Sequence, residues 1–75
     1  MKDLVEHIAK ALVEDPQAVV VKENESDGHI NLELNVAPAD MGKVIGKQGR
    51  IAKAIRSVLK AAAAKEGKKC SLEID

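Results

Sequence analysis

Residues 29–36 constrain the fold of this chain more than any other stretch. Their letters, HINLELNV, alternate polar residues with the apolar Ile30, Leu32, Leu34 and Val36. Successive side chains of a strand point to opposite faces, so the alternation predicts a strand with one apolar face and one polar face. A second layer must cover the apolar face, which limits the chain to a small set of layered architectures.

Two further segments are predicted to be strands. Residues 18–23, AVVVKE, are short and β-branched, and the NESDG at residues 24–28 has the Asn and Asp-Gly chemistry of a tight reversal. We therefore expect a hairpin with the strand at 29–36. Residues 69–75 alternate three apolar residues with polar ones and predict a third strand.

Three segments are predicted to be helices. Residues 2–14 have the apolar spacing of a helix with one buried face. Residues 38–45 form a short helix with proline in its first turn and Asp40 near its positive N-terminal end. Residues 50–66 repeat apolar side chains at three and four positions and predict a long helix. The order α-β-β-α-α-β predicts one α+β domain over residues 1–75, in which three helices cover a three-stranded sheet in two layers.

The composition argues against several classes of protein. A chain of 75 residues buries only about 60 to 65% of its unfolded surface, so one domain with a thin core is expected. The single cysteine, Cys70, cannot form an internal disulfide or a structural zinc site, which favours a reducing, cytoplasmic setting. Charged residues interrupt the N-terminal apolar pattern, so we expect no secretion signal or membrane segment. No nucleophile-base pair, carboxylate dyad or cofactor loop is recognisable, and neither Cys70 nor the histidines His7 and His29 have suitably spaced partners. We therefore expect no enzyme activity, cofactor or metal.

Charge is unevenly distributed along a chain whose net charge is zero. Residues 1–37 hold three basic and eight acidic side chains, a balance of 3 − 8 = −5, whereas residues 38–75 hold nine basic and four acidic ones, or 9 − 4 = +5. A local positive field of this kind suits a polyanion. The chain has no Phe, Trp or Tyr, so no aromatic side chain can stack on a base.

The basic half contains GKQG at residues 46–49, between two predicted helices. One glycine is enough to end a helix, so the second needs another reason. Backbone N–H groups and the helix dipole make the N-terminus of the second helix an anion site. Glycines lack Cβ atoms and let a phosphate backbone approach closely, while Lys47 adds a charge and Gln48 adds neutral donors and an acceptor.

The segment VIGKQGRIAKAI resembles the V/I-I-G-x-x-G-x-x-I core of the KH domain, whose GXXG loop clamps about four nucleotides. The order of elements is similar to the bacterial, type II arrangement of that fold. The likeness covers essentially the whole chain, as in the small stand-alone bacterial KH proteins. It implies a two-layer type II KH-like domain that binds single-stranded RNA as an RNA chaperone or post-transcriptional regulator.

The resemblance also implies roles for individual residues. The sugar-phosphate backbone would be held by Gly46, Lys47, Gln48 and Gly49, with the loop supported by Ile45 and Ile51. Bases would lie in an apolar groove between the two loop-flanking helices and the neighbouring strand, which points to Val44, Ile45, Ile55 and part of residues 30–36. The predicted additional phosphate contacts are Arg50 and Lys53. Without aromatic residues, we expect a broad sequence preference.

Several residues also have purely structural interpretations. Gly46 can act as a helix C-cap alone, the isoleucines can be packing residues, and Lys53, Arg56 and Lys60 can form a solvated helix face. Two other classes of function stay open. A short helix, a turn and a basic helix also fit a helix-turn-helix that binds duplex DNA, and the chain can equally be a protein-interaction adaptor whose loop binds nothing.

Four consecutive alanines, residues 61–64, make the long helix smooth on all sides. Another helix can approach such a surface closely, although high helix propensity alone also explains the alanines. A homodimer, or a heterodimer with another KH-domain protein as the resemblance suggests, would relieve the thin core. We therefore expect dimerisation.

Overall fold

The computed structural model describes all residues from Met1 to Asp75 and has the predicted order of helices and strands. The helices are α1 (Lys2–Leu12), α2 (Met41–Ile45) and α3 (Arg50–Lys65), and the strands are β1 (Val20–Ser26), β2 (His29–Asn35) and β3 (Lys69–Ile74). Single turns of 3-10 helix lie at Pro16–Ala18, Pro38–Asp40 and Lys47–Gly49. The prediction of an α+β fold with three helices and a three-stranded sheet is confirmed.

The sheet has the order β1-β2-β3, with β1 and β2 antiparallel and β2 and β3 parallel. The hairpin turn contains only Asp27 and Gly28, whose φ angles of 51° and 76° are both positive. Two residues in this conformation match the twist of the flanking strands, which is why such turns are common in hairpins. The predicted five-residue reversal is therefore too long, because β1 continues through Ser26.

One face of the sheet packs against the helices and forms an aliphatic core. Leu34 pairs with Val21 on β1 and with Ile74 on β3, so the apolar positions of all three strands line up on this face. The helices add buried residues to the same core, and these are Val5, Ala9, Val44, Ile55 and Leu59. Only 15 of the 75 residues are buried, which agrees with the expected thin core.

The opposite face of the sheet carries no helix and is polar. His29 Nε2 lies 3.1 Å from Ser71 Oγ, and the Ser71 hydroxyl donates to Asn31 Oδ1 at 2.8 Å. These contacts join β2 to β3 on the exposed face. The helix layer is arranged so that α1 packs on β1 and α3 packs on β3, with α2 in contact with both helices.

Asp40 holds the start of α2 against the connection between α1 and β1. Its carboxylate is buried and accepts hydrogen bonds from the N–H groups of Glu14, at 3.2 Å, and Asp15, at 3.1 Å. Burial raises the pKa of Asp40, but these two hydrogen bonds and the nearby Lys43 outweigh it and hold the pKa below its usual value. The sequence suggested a role at the N-terminus of α2, whereas the side chain makes no cap there and joins two segments.

Candidate nucleic-acid interface

The GKQG loop leaves α2 at Gly46 and enters α3 at Arg50. Gly46 has φ 77° and ψ 174°, Gln48 has φ 58° and ψ 24°, and Gly49 has φ 75° and ψ 14°. The Gly49 N–H donates to the Gly46 carbonyl at 3.1 Å and closes the turn. Three positive φ angles within four residues fold the chain back on itself, so that Lys47 and Gln48 are both exposed.

The two glycines of the loop meet different surroundings. A Cβ at Gly46 would lie 2.6 Å from Cγ1 and 2.8 Å from Cβ of Ile51, so this glycine is required by packing inside the protein. The Gly46 N–H also donates to the Gly42 carbonyl, so Gly46 caps the C-terminus of α2, in agreement with the C-cap role considered in the sequence analysis. A Cβ at Gly49 would meet nothing within 4 Å. The positive φ favours glycine at position 49, but no contact inside the protein requires it, and the position where a Cβ would lie faces open space.

The N-terminus of α3 has no side-chain cap and no acidic residue in its first turn. An acidic residue would be favoured there by the helix dipole, and the chain instead has the exposed cation Arg50. The Arg50 guanidinium lies within 3.4 Å of Gln48 Oε1, which links the side chains of the loop and the helix. Positive charge at this end is unfavourable for the isolated helix and suitable for an anionic ligand.

A row of cations continues along α3. Lys53, Arg56 and Lys60 follow one another at three and four positions on the helix, are exposed, and form no ion pair. Helix α3 contains no Asp or Glu at all. Together with Lys47 and Arg50, these three residues form what we call the basic stripe, which begins at the loop and runs along the helix.

Lys43 belongs to the same basic segment of the sequence but is already paired. Its Nζ lies 2.8 Å from Glu14 Oε1 and 3.5 Å from Asp40 Oδ1. The hydrogen bond that Lys43 donates to Glu14, followed by the charges of the Glu14 and Asp40 carboxylates, raises the pKa of Lys43 despite partial burial. Lys43 is therefore bound to the protein itself, and we leave it out of the basic stripe.

The apolar residues expected to contact bases are mostly in the core. Val44 is 0% exposed and Ile55 is 5% exposed, and Leu32 and Leu34 on β2 are fully covered. The Val44 side chain is closed off from the surface in this structure, and its predicted contact with a base stays a prediction. Ile45 and Ile51 are only half-buried beside the loop, and Ile51 packs on Gly46.

The groove that does open beside α3 is bordered by β3. Its volume is about 280 Å³, and its walls are formed by Arg56, Ser57, Leu59, Lys60, Cys70, Ser71 and Leu72. Residues 30–36 do not line this opening, whose strand wall is β3, and their predicted contact with bases stays a prediction. Sequence reasoning missed the β3 residues because no local pattern indicates which strand α3 contacts. Burial raises the pKa of the Cys70 thiol, as expected for a structural cysteine.

A second, apolar groove of about 380 Å³ lies between α1 and α3. It is lined by Ile8, Leu12, Arg50, Ile51, Ala54, Ile55 and Val58. Val58 is 48% exposed, one of only two large apolar residues with such exposure. Ala61, three positions beyond Val58, is also exposed and extends this surface along α3.

No three His, Cys, Asp or Glu side chains lie close enough together to hold a metal ion. None of the helices has the length and apolarity that a membrane crossing requires.

Comparisons with known proteins agree with the resemblance found in the sequence. The sequence model of the family described as KhpA/KhpB, KH domain, matches residues 2–74. The chain is 65% identical to RNA-binding protein KhpA of Clostridium perfringens over 74 residues, and 64% identical to RNA-binding protein KhpA of Clostridium acetobutylicum, with 99% of each chain covered in both cases.

Solved structures of Era contain a similar fold. Aquifex aeolicus Era bound to GDP and aluminium fluoride superposes with a TM-score of 0.67 at 26% identity, covering 97% of this chain and 28% of that one. Era in complex with MgGDPNP and nucleotides 1506–1542 of 16S ribosomal RNA superposes with a TM-score of 0.62 at 27% identity, with the same coverage. The chain therefore corresponds to little more than a quarter of Era.

Proposed function

The chain belongs to the KhpA/KhpB KH-domain family, and we propose that it is an RNA-binding protein whose GKQG loop clamps the backbone of single-stranded RNA. The observation that carries the proposal is the surface around Gly49, where open space, an uncapped helix N-terminus and cations without carboxylate partners meet. KH domains are not an enzyme family, and we propose no catalytic role for this one.

The mechanism follows from the loop and the basic stripe. Phosphate oxygens would accept hydrogen bonds from backbone N–H groups at the start of α3, beside Gly49, where no Cβ obstructs their approach. Lys47, Arg50 and Lys53 would supply charge to successive phosphates. These contacts carry no sequence information, which supports a broad preference among RNA sequences. With about four phosphates contacted, the logarithm of the binding constant should fall with the logarithm of salt concentration with a slope of about −3.

The test is a titration of fluorescently labelled single-stranded RNA with the wild type and with Lys47→Asp/Gln48→Asp at several salt concentrations. We expect the double variant to bind at least about tenfold more weakly, because one charge-assisted contact is lost and two carboxylates face the phosphates. Both substituted side chains are exposed and make no backbone contact, so the fold should persist by circular dichroism.

A matched control is Lys2→Asp/Gln17→Asp, which makes the same three-unit change of charge at two exposed positions outside the basic stripe. The control should bind RNA nearly as well as the wild type. Equal loss in both variants would mean that net charge alone governs binding and would contradict the loop clamp. Preference for duplex DNA over single-stranded RNA would favour the helix-turn-helix, and absence of any nucleic-acid binding would favour the adaptor.

We also propose that the apolar groove between α1 and α3 is the contact surface of a homodimer. The groove combines Val58, Ile51 and Ile8 with small residues that allow close approach of another helix. A standard interface buries about 800 Å² per partner, or about a sixth of the 4855 Å² surface of this protein.

Sedimentation equilibrium of the wild type and of Val58→Glu tests the dimer. A buried carboxylate without a partner is costly, so Val58→Glu should be a monomer at concentrations where the wild type is a dimer. The control is Val20→Glu, since Val20 is also 48% exposed but lies on the opposite face of the sheet. A monomeric wild type would reject the homodimer and leave another KH-domain protein as the candidate occupant of the groove.

The role that fits these properties is that of an RNA chaperone or post-transcriptional regulator in the cytoplasm. Weak, broadly selective contacts to single strands suit a protein that engages many RNAs. The single thiol, Cys70, is compatible with a reducing compartment.

A further inference from the structure

The groove between α3 and β3 is positively charged and has hydrogen-bonding groups on both walls. Arg56, Ser57 and Lys60 lie on the helix wall, while Cys70 and Leu72 lie on the strand wall; Ser71 also borders the groove, but its hydroxyl is bonded to Asn31 on the opposite face of the sheet. At about 280 Å³ it is close to the lower end of the range for ligand pockets, roughly 300 to 1,000 Å³. The groove can therefore receive a small planar group such as one base of an RNA bound at the neighbouring loop.

Arg56 is held in a fixed position at this groove. Its Nε–H donates to the main-chain carbonyl of Leu72 on β3 at 3.2 Å. An arginine has five N–H donors in a planar fork, and the donors on Nη1 and Nη2 of Arg56 have no acceptor in the protein. No carboxylate pairs with Arg56 either. The guanidinium is thus anchored at one edge, and its remaining donors are available to a ligand.

The main chain of β3 explains why a carbonyl is available to anchor Arg56. The N–H groups of Lys69 and Asp75 donate to Gly28 and Leu34, so the odd-numbered residues of β3 direct their main-chain groups towards β2. Even-numbered residues such as Leu72 direct theirs to the open edge of the sheet. Arg56 bridges α3 to this edge and occupies one of the outward-facing carbonyls.

The composition makes Arg56 unusual among the residues of the groove. The chain has no aromatic residue, and its only two arginines, Arg50 and Arg56, both lie on α3. A guanidinium plane can stack on a base, and its fork matches the O6 and N7 acceptors of guanine, whereas Lys presents a single ammonium. Arg50 lies beside the loop, where phosphates are expected, so Arg56 is the planar donor that can reach a base.

We propose that Arg56 is the specificity-determining residue of this protein and favours guanine in the nucleotide that enters the α3–β3 groove. This inference rests on the proposed function, because the RNA must first be held by the loop. It adds one selective position to an otherwise broad preference. Because the groove is exposed, we expect a bidentate contact to make the binding of guanine about fivefold tighter, which corresponds to about 1 kcal/mol.

The experiment compares short oligouridines with a single central guanine, adenine, cytosine or 7-deazaguanine, using the wild type, Arg56→Lys and Lys60→Arg. The wild type should favour guanine about fivefold over the other natural bases and lose that preference with 7-deazaguanine, which lacks the N7 acceptor. Arg56→Lys keeps the positive charge at this position but should lose the preference for guanine, measured as the ratio of its affinities for the guanine-containing oligonucleotide and plain oligouridine. Lys60→Arg leaves Arg56 in place and should keep the preference.

Each outcome decides between the two proposals. Binding of all oligonucleotides with equal affinity by the wild type, or a guanine preference that persists in Arg56→Lys or with 7-deazaguanine, would overturn the assignment of Arg56 alone. Absence of binding to every oligonucleotide would overturn the proposed function, and this inference with it. The 7-deazaguanine measurement uses only wild-type protein, so it tests the inference even if a variant fails to fold.

Discussion

The two loop glycines should respond to the same substitution in different ways. Gly46→Ala places a methyl group 2.6 Å from Ile51 Cγ1, in a backbone conformation with φ 77° and ψ 174° that is essentially restricted to glycine. The strained backbone costs about 1 to 3 kcal/mol, and the overlap with Ile51 adds about 1 to 3 kcal/mol. In Gly49→Ala the alanine must adopt a positive φ but overlaps no other atom, so we expect a loss of about 1 to 2 kcal/mol in the free energy of unfolding.

These values are large relative to the total stability. At 0.05 to 0.15 kcal/mol per residue, a protein of 75 residues has a free energy of unfolding of about 4 to 11 kcal/mol. Gly46→Ala should therefore lose about 2 to 6 kcal/mol, about half of this stability, whereas Gly49→Ala should lose much less and stay folded at room temperature. The chain has no tryptophan or tyrosine, so urea unfolding is followed by far-ultraviolet circular dichroism rather than by intrinsic fluorescence.

The same pair of variants separates packing from ligand binding. In the folded state, Gly49→Ala should weaken RNA binding, because its methyl group projects into the open space beside the N-terminus of α3. A partial rescue of Gly46→Ala by Ile51→Ala would identify the overlap as the cause of its instability. Equal destabilisation by Gly46→Ala and Gly49→Ala would refute the reasoning, because it would show that the overlap with Ile51 does not lower the free energy of unfolding.

Three further predictions concern the fold. Asp40→Asn should lower the urea midpoint at neutral pH. The pKa of Asp40 is lower in the folded protein than its unfolded value of about 3.9, so the ionised carboxylate stabilises the fold above that pH, and this stabilisation is lost as the pH falls through the folded-state pKa. The difference in midpoint between the variant and the wild type should therefore vanish at low pH, and a difference that does not change with pH would contradict the reasoning. Asp27→Val should cost about 1 to 2 kcal/mol in the same assay, because a β-branched residue must adopt φ 51°, while Asp27→Asn should be nearly neutral. Leu34→Ala removes a side chain that is 0% exposed and should cost about 2 to 5 kcal/mol; a smaller change would mean that the core refills the cavity.

Much of the fold was predictable because its signals are local. The alternation in residues 29–36 and the spacing in residues 50–66 each reflect the geometry of a single element, and both elements are present. The boundaries were less accurate. The strand β1 extends three residues beyond the predicted end, because only the paired hairpin reveals that Asp27 and Gly28 suffice for the turn.

The candidate site was predictable only in part. The GKQG loop, the exposure of Lys47 and Gln48 and the basic character of α3 follow from adjacent residues, and the structure has each of them. Val44 was assigned to the groove through the resemblance to the KH domain, yet its side chain is buried in the core. A short helix packed against α1 and α3 buries some of its residues, and its own five-residue sequence does not reveal which ones.

By itself, then, the sequence determined the elements, their order and the position of the loop, since periodicity, glycine conformation and local charge depend on residues close together in the chain. The tertiary structure decided which strand lies beside α3, that Arg56 is anchored on Leu72, and that Asp40 joins α2 to the end of α1. The contacts of Arg56 and Asp40 join residues at least 16 positions apart. Such contacts form only when the whole chain packs its apolar faces into one core, and no local pattern records them.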